Sequence, residues 1–379
     1  MLVYPVKHSP LLRQPERFIS RQELQQLIEN LVENLVNITD ETGEFLLRLD
    51  DGRVIDTKGW AGWEWTHGIG LYGINQYYRQ TGDNKMCAIV DDWFTARFAE
   101  GTPTKNVNTA CPFLTLAYRY EETGDTRWLP YLERWAEWLM YEMPRTERGG
   151  MQHVTLAEEN HQQLWDDTLM MSVLPLAKIG KLLNRPQYVE EAKYQFLVHI
   201  QHLMERESGL WFHGWTFDGK HNFAKARWAR GNSWLTIVIP EFLELLDLPE
   251  YDATRRFLLQ VLQCQVAALA ECQHPSGLWH TLLDDPDSYL ESSATAGFAF
   301  GILKSVRKRY IDEKYLPIAE KALQGVVKQI NADGELMQVS FGTAMGKNLD
   351  YYRQVPLTSM PYGQAMAILC LVEYLNVYL

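Results

Sequence analysis

The chain has 379 residues, 46% hydrophobic and 22% charged, enough for one large domain or two of average size. Its net charge is −12 and no run of Lys or Arg interrupts it, which excludes the phosphate-neutralising surface of a nucleic-acid binder. Five cysteines, odd in number and without CxxC or His/Cys ligand spacing, argue against a disulfide framework or a structural zinc, so neither metal nor cofactor is expected.

In chain order, residues 1–18, "MLVYPVKHSPLLRQPERF", lack the uninterrupted apolar core of a signal peptide. No later segment offers the ~18 consecutive apolar residues of a membrane span. A cytoplasmic protein without a membrane partner is expected, with residues 1–20 as an N-terminal extension. Apolar residues then recur at helical spacing in "QELQQLIENLVENLV", "RWLPYLERWAEWLMYEM", "YVEEAKYQFLVHIQHLMER" and "PIAEKALQGVVKQI", each with one face to bury. Strand-like alternation is scarce.

Glycine turns follow these helices: Glu41–Phe45, Ala99–Pro103, Glu147–Met151, Glu207–Trp211, Pro275–Trp279 and Ala332–Leu336, centred on Gly43, Gly101, Gly149, Gly209, Gly277 and Gly334. Their steady recurrence marks a repeated unit. A second helix fits between successive turns, so each unit reads as a helical hairpin and six hairpins give twelve helices. An open array should end in polar capping repeats, yet the last helix, "PYGQAMAILCLVEYLNVYL", is among the most apolar. The expected fold is therefore an all-α (α/α)6 barrel spanning 1–379 as one domain, with an open helical array as the competing arrangement.

Polar groups concentrate among aromatics after these turns. "GWAGWEWTHGIG" holds Trp65 and His67; "LWDDTLMM" holds Trp165, Asp166 and Asp167; "FHGWTFDGKHNFAKARWARGNSW" holds His213, Arg227, Arg230 and Trp234. "YLESSATAGFAFGI" adds Glu291, and "FGTAMGKNLDYY" adds Lys347. Such a Trp-lined polar cleft suits a carbohydrate. Each residue also has a plainer use: Glu291 as a helix cap, Arg227 and Arg230 as a solvated face, any one His as a core hydrogen-bonder, and Asp284, Asp285 and Asp287 as a solvated turn. No GxSxG, GxxxxGK[ST], HExxH or strand–GxGxxG–helix pattern occurs. Acid–base chemistry by carboxylates remains. Adjacent helical residues point about 100° apart, so Asp166 and Asp167 cannot both follow the apolar face; one can cap while the other works.

From Gly59 to near the C-terminus these motifs resemble the unsaturated glucuronyl and rhamnogalacturonyl hydrolases, most closely glycoside hydrolase family 105. "LWDDTLMM" is similar to that family's Trp-x-Asp helix start, which makes Asp167 the catalytic acid and base. "WFHGW" implies His213, "WARGNSW" implies Arg230 and Trp234, and the residue after "ERGGMQ" implies His153 as a sugar contact. The resemblance departs at Asn108, where relatives carry an acid, and at Trp65, where a relative carries Tyr. It implies a small oligosaccharide partner, an unsaturated uronyl disaccharide. The reaction implied is hydration of its 4,5-ene, with Arg230, His213 and Lys347 on the substrate carboxylate or hydroxyls and Trp165 and Trp234 stacking on the sugars. Burial against Trp165, Leu169 and Met170 is expected to raise the Asp167 pKa. A sugar isomerase or epimerase using a histidine pair, and a non-catalytic oligosaccharide binder, are the alternatives.

Overall fold

Ser20 accepts from the Glu23 N–H while Glu23 accepts from the Ser20 N–H, a reciprocal box that starts α1 (Arg21–Asn37). The computed structural model describes residues 13–48 and 51–378. After α1 come α2 (Trp65–Thr81), α3 (Asn84–Glu100), α4 (Phe113–Thr123), α5 (Leu129–Glu137), α6 (Leu174–Leu182) and α7 (Pro186–Leu203). They are followed by α8 (Ala229–Leu246), α9 (Ala253–Cys272), α10 (Ser292–Arg307), α11 (Leu316–Gln329), a short α12 (Leu349–Gln354) and α13 (Pro361–Leu375). Proline at the first turn of α5, α6, α7, α11 and α13 presets the helical φ where no N–H is needed.

Two rings result. The inner helices pack in the order α2, α4, α6, α8, α10, α13 and back to α2, while α3, α5, α7, α9, α11 and α1 lie outside them as their respective partners. The circle is closed, an (α/α)6 barrel. Burial explains the assignment: α13 is buried along its whole length, whereas α1 buries one stripe, Leu24, Ile28, Leu31, Val32 and Leu35. The apolar last helix is thus covered by the first two, and chain ends meet. Residues 16–18 complete this seam, with Tyr374 donating to the Glu16 carbonyl and Phe18 stacked on Tyr374; residues 1–12 of the expected extension lie outside the described residues.

Returns from outer to inner helices lie at one end of the barrel. All six glycines of the repeated turns have positive φ, and two show why: a Cβ on Gly209 would meet the Cys264 carbonyl of α9 at 2.8 Å, and one on Gly277 the Lys321 carbonyl of α11 at 2.2 Å. These two turns, and that at Gly334 against the Asn30 carbonyl of α1, are pressed on the next outer helix, so only glycine fits there. The same end carries four small two-stranded antiparallel sheets: β1 (Leu46–Arg48) with β2 (Val54–Asp56), β3 (Gln163–Trp165) with β4 (Gly214–Thr216), β5 (Trp279–His280) with β6 (Leu290–Glu291), and β7 (Val339–Ser340) with β8 (Leu357–Thr358). Strands of two or three residues are too short to leave a period in the sequence. Among the described residues no helix is long and apolar enough to cross a membrane.

Candidate active site

Strand β3 aims the chain into the barrel mouth. Trp165 pairs with Gly214 of β4, the Asp166 N–H donates to the His213 carbonyl, and the Asp167 carbonyl accepts from the Met170 and Met171 N–H groups to open a π-helical turn, Leu169–Val173, ahead of α6. Neither aspartate side chain caps the helix. Asp167 faces the mouth, and His153 stands over it, with Nε2 3.3 Å from Oδ2 in a hydrogen bond and 3.0 Å from Oδ1. His153 is itself fixed: its N–H donates to the Gln163 carbonyl, Asn160 donates to its carbonyl, and its ring lies flat on Trp165 with centroids 3.9 Å apart. Oδ1 of Asp167 has no hydrogen-bond partner among the described residues.

The two acids are pushed in opposite directions. Burial works to raise the Asp167 pKa, but the field and hydrogen bond of His153 outweigh it and hold the carboxyl below its ordinary value. This corrects the expectation that desolvation prevails there. Desolvation prevails instead at Asp166, whose side chain is wholly buried with both oxygens unpartnered among the described residues. Burial, reinforced by the neighbouring Asp167 charge, lifts Asp166 well above the carboxylate range, so it sits as a neutral acid against the first turn of α8.

Around Asp167 opens a cavity of about 760 Å³ whose wall includes Trp65, Asn108, His153, Trp165, Arg230, Trp234 and Lys347. The rim loops therefore bring together all but one of the substrate-binding positions expected from the sequence. The exception is His213, which stands behind the wall. It packs on Trp228 and edge-on to Trp165, its Nδ1 lies 2.7 Å from the Tyr352 hydroxyl, and burial pushes its pKa down to about 3. Arg230 is 1% exposed. Its guanidinium donates to the Ser340 carbonyl and hydroxyl, the Phe341 carbonyl and the Thr343 hydroxyl, between the rings of Trp228 and Tyr362. The fork thus holds the last rim loop, while Lys347 on that loop is exposed and has no anionic partner among the described residues. The Trp faces are also largely taken: Trp165 by His153, and Trp234, only 2% exposed, edge-on by Trp65.

Other polar candidates take the plainer use. Glu291 caps α10 through the Ala294 N–H and accepts from Ser293 and the Ser340 N–H. His67 clips the Gly59–Glu64 loop, its Nε2 2.8 Å from the Gly59 carbonyl. Arg227 pairs with Glu205 and Asp284, and Asp285 with Arg353. No three His, Cys, Asp or Glu side chains converge as a metal would require among the described residues.

The sequence profile of Glycosyl Hydrolase Family 88 matches residues 37–378. The chain belongs to this family. The unsaturated rhamnogalacturonyl hydrolase YesR of Bacillus subtilis (strain 168) is 31% identical to this hydrolase over 317 residues, 83% of this chain and 90% of that one. A crystal structure of a possible member of the GH105 family from Klebsiella pneumoniae subsp. pneumoniae superposes on it with a TM-score of 0.95 at 75% identity, covering 100% of both chains. An unsaturated glucuronyl hydrolase specific for heparin shares the fold, with a TM-score of 0.69 at 17% identity over 94% of this chain and 97% of that one. The family 88 hydrolase also lines its cavity with Thr155, Asn160, Gln163, Phe223, Trp228 and Met345, which the sequence reading did not single out. Apart from Trp228, beside the Arg230 signature, they carry no motif of their own and are recruited by loop geometry.

Proposed function

We propose that this hydrolase removes a 4,5-unsaturated galacturonyl unit from the non-reducing end of a lyase-generated oligosaccharide such as a rhamnogalacturonan disaccharide. The single observation carrying this reading is the Asp167 carboxyl at the cavity wall, held by His153, whose Nε2 lies 3.3 Å from Oδ2 and 3.0 Å from Oδ1. Among the described residues the other acid on that wall, Glu158, is exposed. A site with one enclosed carboxyl suits enol-ether hydration better than glycosidic displacement, which uses two. The rhamnogalacturonyl substrate of the Bacillus relative supports the choice of sugar, and the five free cysteines suit a pectin-degrading step inside the cytoplasm. The whole chain is read as one catalytic domain.

In this mechanism the substrate carboxylate binds Lys347. Its charge, added to a closed pocket, opposes ionisation of Asp167 and makes it an acid in the complex. Asp167 Oδ1 gives its proton to C4, the C4–C5 double bond supplies the electrons for the new C–H bond, and the cation at C5 is shared with the ring oxygen. Water adds to C5 and returns a proton to Asp167. The hemiketal then opens by breaking its C5–ring-oxygen bond, leaving a C5 ketone and a hemiacetal at C1 that collapses to the aldehyde and expels the neighbouring sugar. His153 holds the carboxyl in line throughout.

The test is loss of the alkene's ultraviolet absorbance when the protein meets an unsaturated galacturonyl-rhamnose disaccharide. Wild type consumes it, and Asp167→Asn lowers turnover by about 10³-fold, within the usual range for a lost general acid. Retention of most activity by that variant removes Asp167 from the mechanism. An isomerase using two histidines is disfavoured, because His153 is the one histidine on the cavity wall among the described residues.

A further inference from the structure

The loop from Gly342 to Lys347 borders the cavity, and Arg230 holds its first half. Two tyrosines of α12 hold the second. Asn348 caps that helix by accepting from the Tyr351 N–H, and both rings turn back on the loop: the Ala344 N–H donates to the Tyr351 hydroxyl and the Gly346 N–H to the Tyr352 hydroxyl, each at 3.1 Å. Gly346 is buried between them, where a Cβ would lie 2.5 Å from Tyr352 Cε2 and 2.6 Å from Tyr351 Cδ1. The next residue is Lys347.

Tyr352 is itself fixed, because its buried ring packs with Ala226, Trp228 and Leu282 in a small cluster apart from the barrel core. Besides Gly346 its hydroxyl reaches two groups, His213 Nδ1 at 2.7 Å and Met345 Sδ at 3.8 Å. A hydroxyl has one proton to donate. Its oxygen accepts from Gly346, and of the two acceptors left for the proton an imidazole nitrogen at 2.7 Å is far stronger than a thioether at 3.8 Å. Burial pushes the His213 pKa down to about 3, so the ring is neutral and carries a single proton. With Nδ1 accepting, that proton stands on Nε2. Nε2 has no hydrogen-bond partner among the described residues, so no acceptor or donor there selects the other tautomer.

We propose that Tyr352 is a positioning residue with two effects from one hydroxyl: donating to His213 Nδ1 it fixes the imidazole proton on Nε2, and accepting from the Gly346 N–H it seats Lys347 at the cavity for the carboxylate of the substrate. The second effect rests on the unsaturated uronyl reading of the pocket; the first is independent of it. One side chain thereby ties the histidine beside Trp165 to the loop that carries the free cation.

Two measurements test it. In protein carrying nitrogen-labelled histidine, with His213 assigned by its loss in His213→Gln, the wild-type spectrum shows one-bond coupling to a proton at Nε2 and none at Nδ1. In Tyr352→Phe the Nδ1 resonance moves to that of a ring nitrogen receiving no hydrogen bond. A wild-type proton on Nδ1 overturns the first effect. For the second, Tyr352→Phe raises KM for the unsaturated disaccharide about fivefold, the scale of one neutral hydrogen bond, with kcat within about threefold. Once Lys347 is alanine, adding Tyr352→Phe changes KM less than about twofold, because the two act through one contact. A merely structural role lowers Tm and leaves KM alone; an unchanged KM, or full multiplication of the two KM effects, overturns the seating of Lys347. Melting curves show which variants are folded, and if Tyr352→Phe is not, Gly346→Ala displaces the same backbone and runs the same cycle. If wild type leaves the disaccharide unconsumed, the uronyl reading fails while the tautomer result stands, and calorimetric Kd values for the disaccharide carry the Lys347 cycle; a wild type that neither consumes nor binds it overturns the second effect as well.

Discussion

His153 Nε2 hydrogen bonds Asp167 Oδ2 at 3.3 Å and lies 3.0 Å from Oδ1, so one imidazole straddles the whole carboxyl. The contact orients the carboxyl and favours its charged form, so it sets the pH range of the reaction as well as the geometry. The acid must carry a proton to react, so kcat falls as pH rises through the pKa of Asp167 in the complex. His153→Leu removes the donor and its field, and the burial that opposes ionisation then dominates. The fall in kcat should move to higher pH, with the plateau lowered about tenfold or more because the ring also positions the acid. A pH profile of kcat decides it; an alkaline limb that stays in place refutes the coupling.

Asp166 makes the opposite claim. Its folded pKa lies well above the unfolded value near 3.9, so the native state keeps a proton that the unfolded chain releases, and stability is lost as pH rises from the unfolded value towards the folded one. Asp166→Asn deletes this titration while copying the shape of the neutral acid. The Tm of the variant minus that of wild type should grow with pH, by roughly 2 °C or more from mildly acid to mildly alkaline buffer. A difference that stays constant across that interval would mean Asp166 is ionised in the fold.

What the sequence disclosed follows from how local each signal is. Helices α1, α5, α7 and α11 were legible because they lie outside and bury one stripe, and the glycine turns because each needs a positive φ that other residues rarely adopt. Inner helices such as α8 and α10 are buried almost all round, so no amphipathic period marks them, and their polar residues stood out instead. Ring closure was inferred from one apolar helix that needed a cover. The electrostatics were not legible. Asp167 is set by His153 across a loop, and His213 falls behind Trp165 through the β3–β4 pairing; these are facts of register and packing that no neighbouring residue encodes.

Among the described residues Lys347 is the cation left free at the cavity. Lys347→Ala should therefore raise KM about tenfold to thirtyfold with little change in kcat, since it removes a charge-assisted contact present in ground and transition states alike. The wild-type KM should also rise with salt while that of the variant stays flatter, because an exposed charge is screened. Equal salt dependence in the two proteins would place the substrate carboxylate elsewhere.

Arg230 acts on the same binding step from a different direction. It is buried, 3.7 Å from Glu291, and its planar fork serves Ser340, Phe341 and Thr343 together. A lysine keeps the charge but is a single point that cannot reach all of these acceptors. Arg230→Lys should cost about 3–6 kcal/mol, the scale of two hydrogen bonds from a charged group, seen as a lowered denaturation midpoint. It should also raise KM, because the loop that carries Lys347 is no longer held. The two effects then share one route: once Lys347 is already alanine, adding Arg230→Lys should lower stability as before but raise KM little further. Full multiplication of the two KM effects would show that Arg230 meets the substrate directly, despite the acceptors that occupy its guanidinium in this structure.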